Sequence, residues 1–250
     1  MFNQFLPNIS FMGPVLLTFL AVITLQACDE EGLVSSSSEQ EALSTGQSDL
    51  PMPIEDCVGP ESISDHVSVQ ATSTMSECIT CEGSLAPDFK LRDVNPSSCG
   101  VGKYYGLDAF QGQVTFVVLL RSTCGYCMAQ LEKLEQIRYE LLVMGLNLNM
   151  LVINERGTQA QIVNLTQRAQ IPIFQDVDEV MAWEALSSPD PNDDSLKVGG
   201  DKDDMYIYDS TGHLWRFLDD DDPSHKLNLS TDEGYNYLKE ILIMAINEAP

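Results

Sequence analysis

The hydrophobic pattern of this chain changes period several times, and each change marks an element. Val114-Thr-Phe-Val-Val-Leu-Leu120 is a near-continuous β-branched and apolar run, as in a central strand covered on both faces. From Cys127 onward, Leu131, Leu134, Ile137, Leu141 and Met144 fall three or four apart, with Glu132, Lys133, Glu135, Gln136 and Arg138 between them. That spacing predicts an amphipathic helix, which Gly145 stops. Leu148–Ile153 predicts the next strand. Helices are expected over Gly157–Gln170 and Asp178–Leu186, the second carrying Trp183, with Ile171–Phe174 extended between them. Residues 187–203 hold Pro189, Pro191, Gly199, Gly200 and several Asp, and are expected to be loop. Met205–Tyr208 and His213–Leu218 flank Asp209-Ser-Thr-Gly212 and predict a hairpin. Thr231 then caps a last helix with Tyr235, Leu238, Ile241, Leu242 and Ala245 on one face.

Upstream, Ala86-Pro87-Asp88-Phe89 opens an extended segment to Val94, followed by a turn-rich stretch with Asn95-Pro96, Gly100, Gly102 and Gly106. The resulting order is strand, CxxC, helix, strand, helix, hairpin, helix. A CxxC in an alternating α/β order predicts a thioredoxin-like fold over 86–250, a central mixed sheet flanked by helices with a C-terminal hairpin and helix.

The first 85 residues are composed differently. Val15–Leu25 is apolar but short of the roughly 20 residues a transmembrane helix needs. It has the length of a signal-peptide core. Leu25-Gln26-Ala27-Cys28 resembles a bacterial lipobox, although residues 1–14 lack the usual Lys or Arg. The resemblance implies a leader over 1–27 and an acylated Cys28 as mature N-terminus. The chain would then be exported and membrane-anchored on the periplasmic or extracellular side of the cell envelope. An uncleaved apolar anchor is the alternative. Residues 28–55 are rich in Ser, Glu and Gln and lack aromatics, so they are read as a disordered tether. Residues 56–85 form a Cys-containing extension.

Net charge is -25, and residues 1–89 contain 13 acids but no Lys or Arg. That balance argues against nucleic acid as a partner and against docking on an anionic bilayer by charge alone.

Seven cysteines stand at 28, 57, 78, 81, 99, 124 and 127. Two pairs have CxxC spacing, Cys78/Cys81 and Cys124/Cys127. As one zinc site they would be separated by 42 residues, against roughly 15–20 in common zinc modules, so no metal is expected. Cys57, Cys78, Cys81 and Cys99 are read as structural disulfides, with three connectivities open. A second redox pair at Cys78/Cys81 is the competing reading, opposed by Glu77 and Glu82, whose charges disfavour a thiolate.

Cys124 lies where a buried strand passes into a helix. The helix N-terminus carries free N–H groups and about half a positive charge, which should lower the Cys124 pKa below that of a free thiol. Cys124 is therefore the expected attacking thiol, and Cys127, one turn in, the resolving one. Gly125 leaves room for a substrate sulfur, and Tyr126 offers an apolar body beside it. A permanent structural disulfide is the bland alternative.

Of the three histidines, His66, His213 and His225, the last two lack metal-ligand spacing and are expected at the surface. Asp219–Asp222 is expected to be a solvated turn rather than a calcium loop, and Trp183 and Trp215 to serve packing. Arg121 is a strand-end residue that would hold an anion near Cys124 only in a functional reading. Asn164-Leu-Thr166 and Asn228-Leu-Ser230 fit the N-glycosylation pattern.

Val117–Leu120, Lys133–Arg138, Val152–Gly157, Ile171–Gln175 and Asp201–Asp209 together resemble the N-terminal domain of selenoprotein P. The resemblance implies a thioredoxin-like redox domain in which Cys124 takes the place of the vertebrate selenocysteine and Cys127 that of its partner. The family's selenocysteine-rich and His-rich segments find no match, so selenium transport is not implied. Cys-Gly-Tyr-Cys also matches the active site of a bacterial periplasmic disulfide isomerase.

Compared with ordinary thioredoxins, Val118 replaces the buried acid six residues before the first cysteine. The place of the cis-proline before the hairpin falls at Asp203 or Asp204, since Pro172 lies too early. The expectation is that the Asp203 and Asp204 carboxylates approach the cysteine pair, as a local base or by raising the thiol pKa. The alternative is a solvated acidic turn. The function expected is an exported thiol–disulfide oxidoreductase. It would act on protein or small-molecule thiols and disulfides, without cofactor. A thiol peroxidase on the same cysteines, or a binding module with a structural disulfide, are the competing classes.

Overall fold

The computed structural model of the protein describes residues 78–190 and 193–249. The leader expected over 1–27, the lipidation expected at Cys28 and the tether expected over 28–55 lie outside the described residues, as do Cys57 and His66. No helix among those described is long and apolar enough to cross a membrane.

The fold is thioredoxin-like and grows from β3 (Thr115–Leu120), in which all six residues are buried. It pairs in parallel with β4 (Asn149–Asn154), and β4 with β5 (Ile173–Gln175). Antiparallel neighbours complete a seven-stranded mixed sheet. On one side are β1 (Leu91–Asp93) and β2 (Tyr104–Tyr105); on the other are β8 (Met205–Tyr208) and β9 (Leu214–Leu218). The order is β2-β1-β5-β4-β3-β8-β9.

Each face has its own core. Phe116, Val118 and Leu120 point to one face with Leu131, Leu134, Ile137 and Leu141 of α1 (Gly125–Val143) and Leu238, Ile241 and Leu242 of α4 (Asp232–Glu248). Val117 and Leu119 point to the other, among Phe89, Leu91, Tyr105, Phe174, Trp183 and Tyr206. This alternation is the period-two consequence of a strand covered on both sides. Thr231 Oγ1 accepts the Gly234 N–H at 3.1 Å and starts α4.

Three expectations need correction. The helix expected over 157–170 is a 3-10 turn, Gln159–Gln161, followed by one turn, α2 (Val163–Thr166). The helix expected over 178–186 shortens to α3 (Ala182–Ala185), because the buried Asp176 carboxylate accepts the Ala182 and Trp183 N–H groups and starts it late. Residues 187–203 are not all loop: β6 (Ser188–Asp190) and β7 (Asp193–Val198) form an antiparallel pair with a register shift at Pro189/Asp190. Trp183 is buried and donates Nε1–H to the Ile153 carbonyl. Trp215 lies half-buried under Arg216.

Residues 78–86 run along the free edge of β9. Ser84 and Gly83 exchange backbone hydrogen bonds with Leu214, and Leu85 bridges His213. Ile79 is buried, and Thr80 hydrogen-bonds Ser188.

Candidate active site

β3 ends at Leu120, and the chain turns through Arg121, Ser122 and Thr123 into α1. Three buried or half-buried polar groups hold this turn. Asn154 Oδ1 accepts the Ser122 N–H at 2.9 Å, Ser122 Oγ donates to the Thr158 carbonyl at 2.6 Å, and Asn164 Nδ2 donates to the Ser122 carbonyl at 3.1 Å. Asn164 is thus part of the scaffold of the turn. Arg121 pairs with Glu155, Nη2 to Oε1 at 2.6 Å.

Cys124 is the N-cap of the 19-residue α1, in extended backbone conformation, and its Sγ accepts the Cys127 N–H at 3.3 Å. The sulfur takes the place that a Ser or Asp oxygen fills in other caps. Cys124 is half-buried; Cys127 is fully buried; neither is in a disulfide. Beyond its own chain neighbours, nothing lies within 4 Å of where a Cβ on Gly125 would be, so there is open space beside Gly125, next to Cys124. Burial pushes the Cys127 thiol well above the ordinary thiol value. Its hydrogen bond with Cys124 and the charge of Asp203 add to the rise, against the Arg121 backbone N–H. Tyr126 is raised to about 12 by burial and by the charges of Asp220 and Asp203. The Lys202 ammonium lies 5.5 Å from the centre of the Tyr126 ring, a cation–π contact.

The two aspartates are not a solvated turn: Asp203 is 0% exposed and Asp204 1%. The Asp203 N–H donates to the Leu119 carbonyl, and Leu119 N–H to the Asp204 carbonyl, at 2.8 and 3.0 Å, so the β3–β8 ladder continues up to the cysteine turn. Their side chains diverge. Asp203 pairs through Oδ2 with Lys202, while Oδ1 is buried with no hydrogen-bond partner among the described residues. Asp204 turns away, accepting the Asp201 and Asp220 N–H groups at 2.9 and 3.2 Å. Burial raises Asp204 to about 7, although both hydrogen bonds oppose the rise. Lys202, which has no signature of its own in the sequence, is with Arg121 one of two cations facing the cysteine pair. Its adjacency to Asp203 was the available signal.

The other singled-out residues lie elsewhere. Cys78 and Cys81 are joined to each other, Cα–Cα 5.3 Å, and both are exposed. They are therefore unavailable for a four-thiolate zinc site with Cys124 and Cys127. Cys99 is also disulfide-bonded, with its partner outside the described residues. Asp219–Asp222 fold on themselves: Asp219 Oδ1 accepts the Asp221 N–H, and Asp222 Oδ1 the Ser224 N–H. His225 Nδ1 accepts the Asp219 N–H at 3.0 Å.

A half-exposed sulfur capping a helix, a buried second sulfur one turn in, and a sheet of this order define a thioredoxin-like domain bearing a dithiol. Residues 86–219, more than half of the chain, match the family described as "Selenoprotein P, N terminal region". The chain belongs to that family. Zebrafish (Danio rerio) selenoprotein Pb is 32% identical over 108 residues, covering 41% of this chain and 37% of the relative. Mouse (Mus musculus) selenoprotein P is 29% identical over 135 residues, covering 52% and 30%. The chain thus spans about a third of the length of these relatives. Among solved structures, a putative protein disulfide isomerase from Bacteroides thetaiotaomicron aligns with TM-score 0.48 and 15% identity, covering 68% of this chain and 92% of that one. A putative thiol:disulfide interchange protein DsbE from Chlorobium tepidum aligns at 0.46 and 17%, covering 66% and 98%.

Proposed function

We propose that the protein is a thiol–disulfide oxidoreductase acting through Cys124 and Cys127. The observation that carries this reading is the unequal setting of the two sulfurs, one capping α1 next to open space, the other buried one turn inside. Cys124, as thiolate, attacks a substrate disulfide. One substrate sulfur leaves with the electrons of the broken S–S bond, and the other is held on Cys124. Cys127 then attacks Cys124 Sγ, releasing the second substrate thiol. The pair ends oxidised by two electrons and the substrate reduced; an external dithiol resets it. Run backwards, the same steps oxidise a substrate dithiol.

The substrates are proposed to be protein or small-molecule thiols and disulfides, met outside the cytoplasm by a protein tethered through Cys28. The test is a Cys127→Ser variant exposed to glutathione disulfide. A stable adduct on Cys124, absent from Cys124→Ser, is expected; no adduct on Cys124 would overturn the reading. Stoichiometric hydrogen peroxide separates the peroxidase alternative: immediate oxidation of the reduced pair, with no exchange with glutathione disulfide, would favour it.

A further inference from the structure

The resolving thiol has a chemical difficulty that the attacking thiol lacks. Cys127 must give up a proton before it can attack, yet it is fully buried in the apolar core with Val118, Leu120 and Leu131. No acid beneath it on β3 takes the proton, since every β3 residue except Thr115 is aliphatic or Phe. Burial penalises a free Cys127 thiolate.

Asp203 is placed beside the first turn of α1 by its neighbours: its N–H donates to the Leu119 carbonyl of β3 at 2.8 Å, and Lys202, which its Oδ2 pairs with, lies 5.5 Å from the centre of the Tyr126 ring. From there its charge adds to the upward shifts of Cys127, Tyr126 and Asp220, in each of which burial is the larger cause. Three observations single it out. It is fully buried, its Oδ1 has no hydrogen-bond partner among the described residues, and its backbone is held in the left-handed region at φ 73. A buried, unpaired carboxylate oxygen and a left-handed non-glycine residue each carry a cost, and both gather at functional sites. Lys202 neutralises the other oxygen and leaves Oδ1 uncommitted.

We propose that Asp203 is the proton acceptor for Cys127 when the pair closes, a role that rests on the exchange reading above and that Asp204 does not share. In the mixed disulfide, Cys124 Sγ is bonded to a substrate sulfur. The Cys127 proton passes to Asp203, and the Cys127 sulfur bonds to Cys124 Sγ. The bond from Cys124 to the substrate sulfur breaks, and that sulfur leaves with the electron pair and is protonated by Asp203 or water. The new Cys124–Cys127 disulfide holds the oxidation. Proton transfer in step with attack avoids a free buried thiolate. Besides Asp203, the groups that set this chemistry are Lys202 on its own loop, Cys124, Cys127 and Tyr126 at α1, Arg121 at the end of β3, and Asp220; the Asp204 carboxylate turns away to the Asp201 and Asp220 N–H groups.

The test isolates closure. The full chain is reduced at Cys124 and Cys127, Cys124 is loaded with one thionitrobenzoate group, and release of that coloured thiolate is followed by stopped flow across pH. Asp203→Asn should slow release at neutral pH by at least about ten-fold, and its rate should climb with hydroxide where the wild type levels off. Asp204→Asn should stay within about two-fold of wild type across the same range. Asp203→Gly suits the left-handed backbone and guards against misfolding of the Asn variant; added formate should restore part of its rate. Unchanged or faster release in Asp203→Asn, as a merely repulsive charge would give, overturns the role. Failure of wild-type Cys124 to take up the label, or of wild type to release it, overturns the exchange reading and this role together.

Discussion

The molecule contains the same four-residue spacing twice, and the two copies have little else in common. Cys78 and Cys81 sit in a turn along the β9 edge, both exposed, and joined to each other. Their segment is held independently of the disulfide by buried Ile79, by Thr80 on Ser188 and by Ser84 on the Ile79 carbonyl. Glu82 beside them faces Arg216 at 3.8 Å. Cys124 and Cys127 instead lie at the junction of a fully buried strand and a 19-residue helix, with unequal exposure and an uncommitted carboxylate oxygen nearby. The lesson is that spacing lets two sulfurs meet, whereas a helix terminus and unequal burial set the two sulfurs of one pair apart from each other.

The sharpest way to break the comparison is activity. Cys124→Ser should abolish reduction of a disulfide-linked peptide, a loss of at least about a hundred-fold. The double variant Cys78→Ser, Cys81→Ser should keep turnover within about two-fold of wild type. Equal losses would erase the distinction between the pairs.

Packing gives the next largest effect. Leu134 is fully buried between α1 and the sheet, so Leu134→Ala should destabilise the fold by about 2–5 kcal/mol in urea unfolding. The Cys78–Cys81 bond closes so small a ring that its removal should cost about 2 kcal/mol or less.

Asp204 adds a pH signature at the end of the sheet that carries Cys124. Its folded value, about 7, lies above the ordinary 3.8, so folding favours its protonated form. The stability this confers is full below the ordinary value and is lost as pH rises through about 7. Unfolding midpoints should therefore fall across that window, and Asp204→Asn should flatten the fall. A variant with an undiminished slope would place the titration elsewhere.

Much of this was legible in residue order. Val114–Leu120, the helix after Cys124, the hairpin around Asp209–Gly212 and the Thr231 cap are local signals strong enough to survive in the fold. The elements misread are those whose form depends on distant partners. Nothing local says that the Asp176 carboxylate will cap Ala182, or that Met181 will take φ 55 and delay α3. β6 is three residues with Pro189 at its centre, β7 alternates only over its last four residues, and their pairing contains a register shift, so the local signal for a strand is weak there. At the candidate site, the placement of Cys124 and Cys127 at a strand-to-helix turn was readable from spacing and context. The different fates of Asp203 and Asp204 were not: adjacent in sequence, their side chains diverge because one pairs with Lys202 beside the thiols and the other accepts N–H groups from the 201 and 220 turns.

The measurement that bears most directly on the exchange reading is the reduction potential of Cys124–Cys127 in the full chain. It is obtained by equilibrating the protein in glutathione buffers and counting alkylated cysteines on the peptide that carries both. A potential between about -270 and -120 mV is expected, the range of exchange proteins. A potential below about -300 mV would mark a bond built to stay closed and would contradict the account.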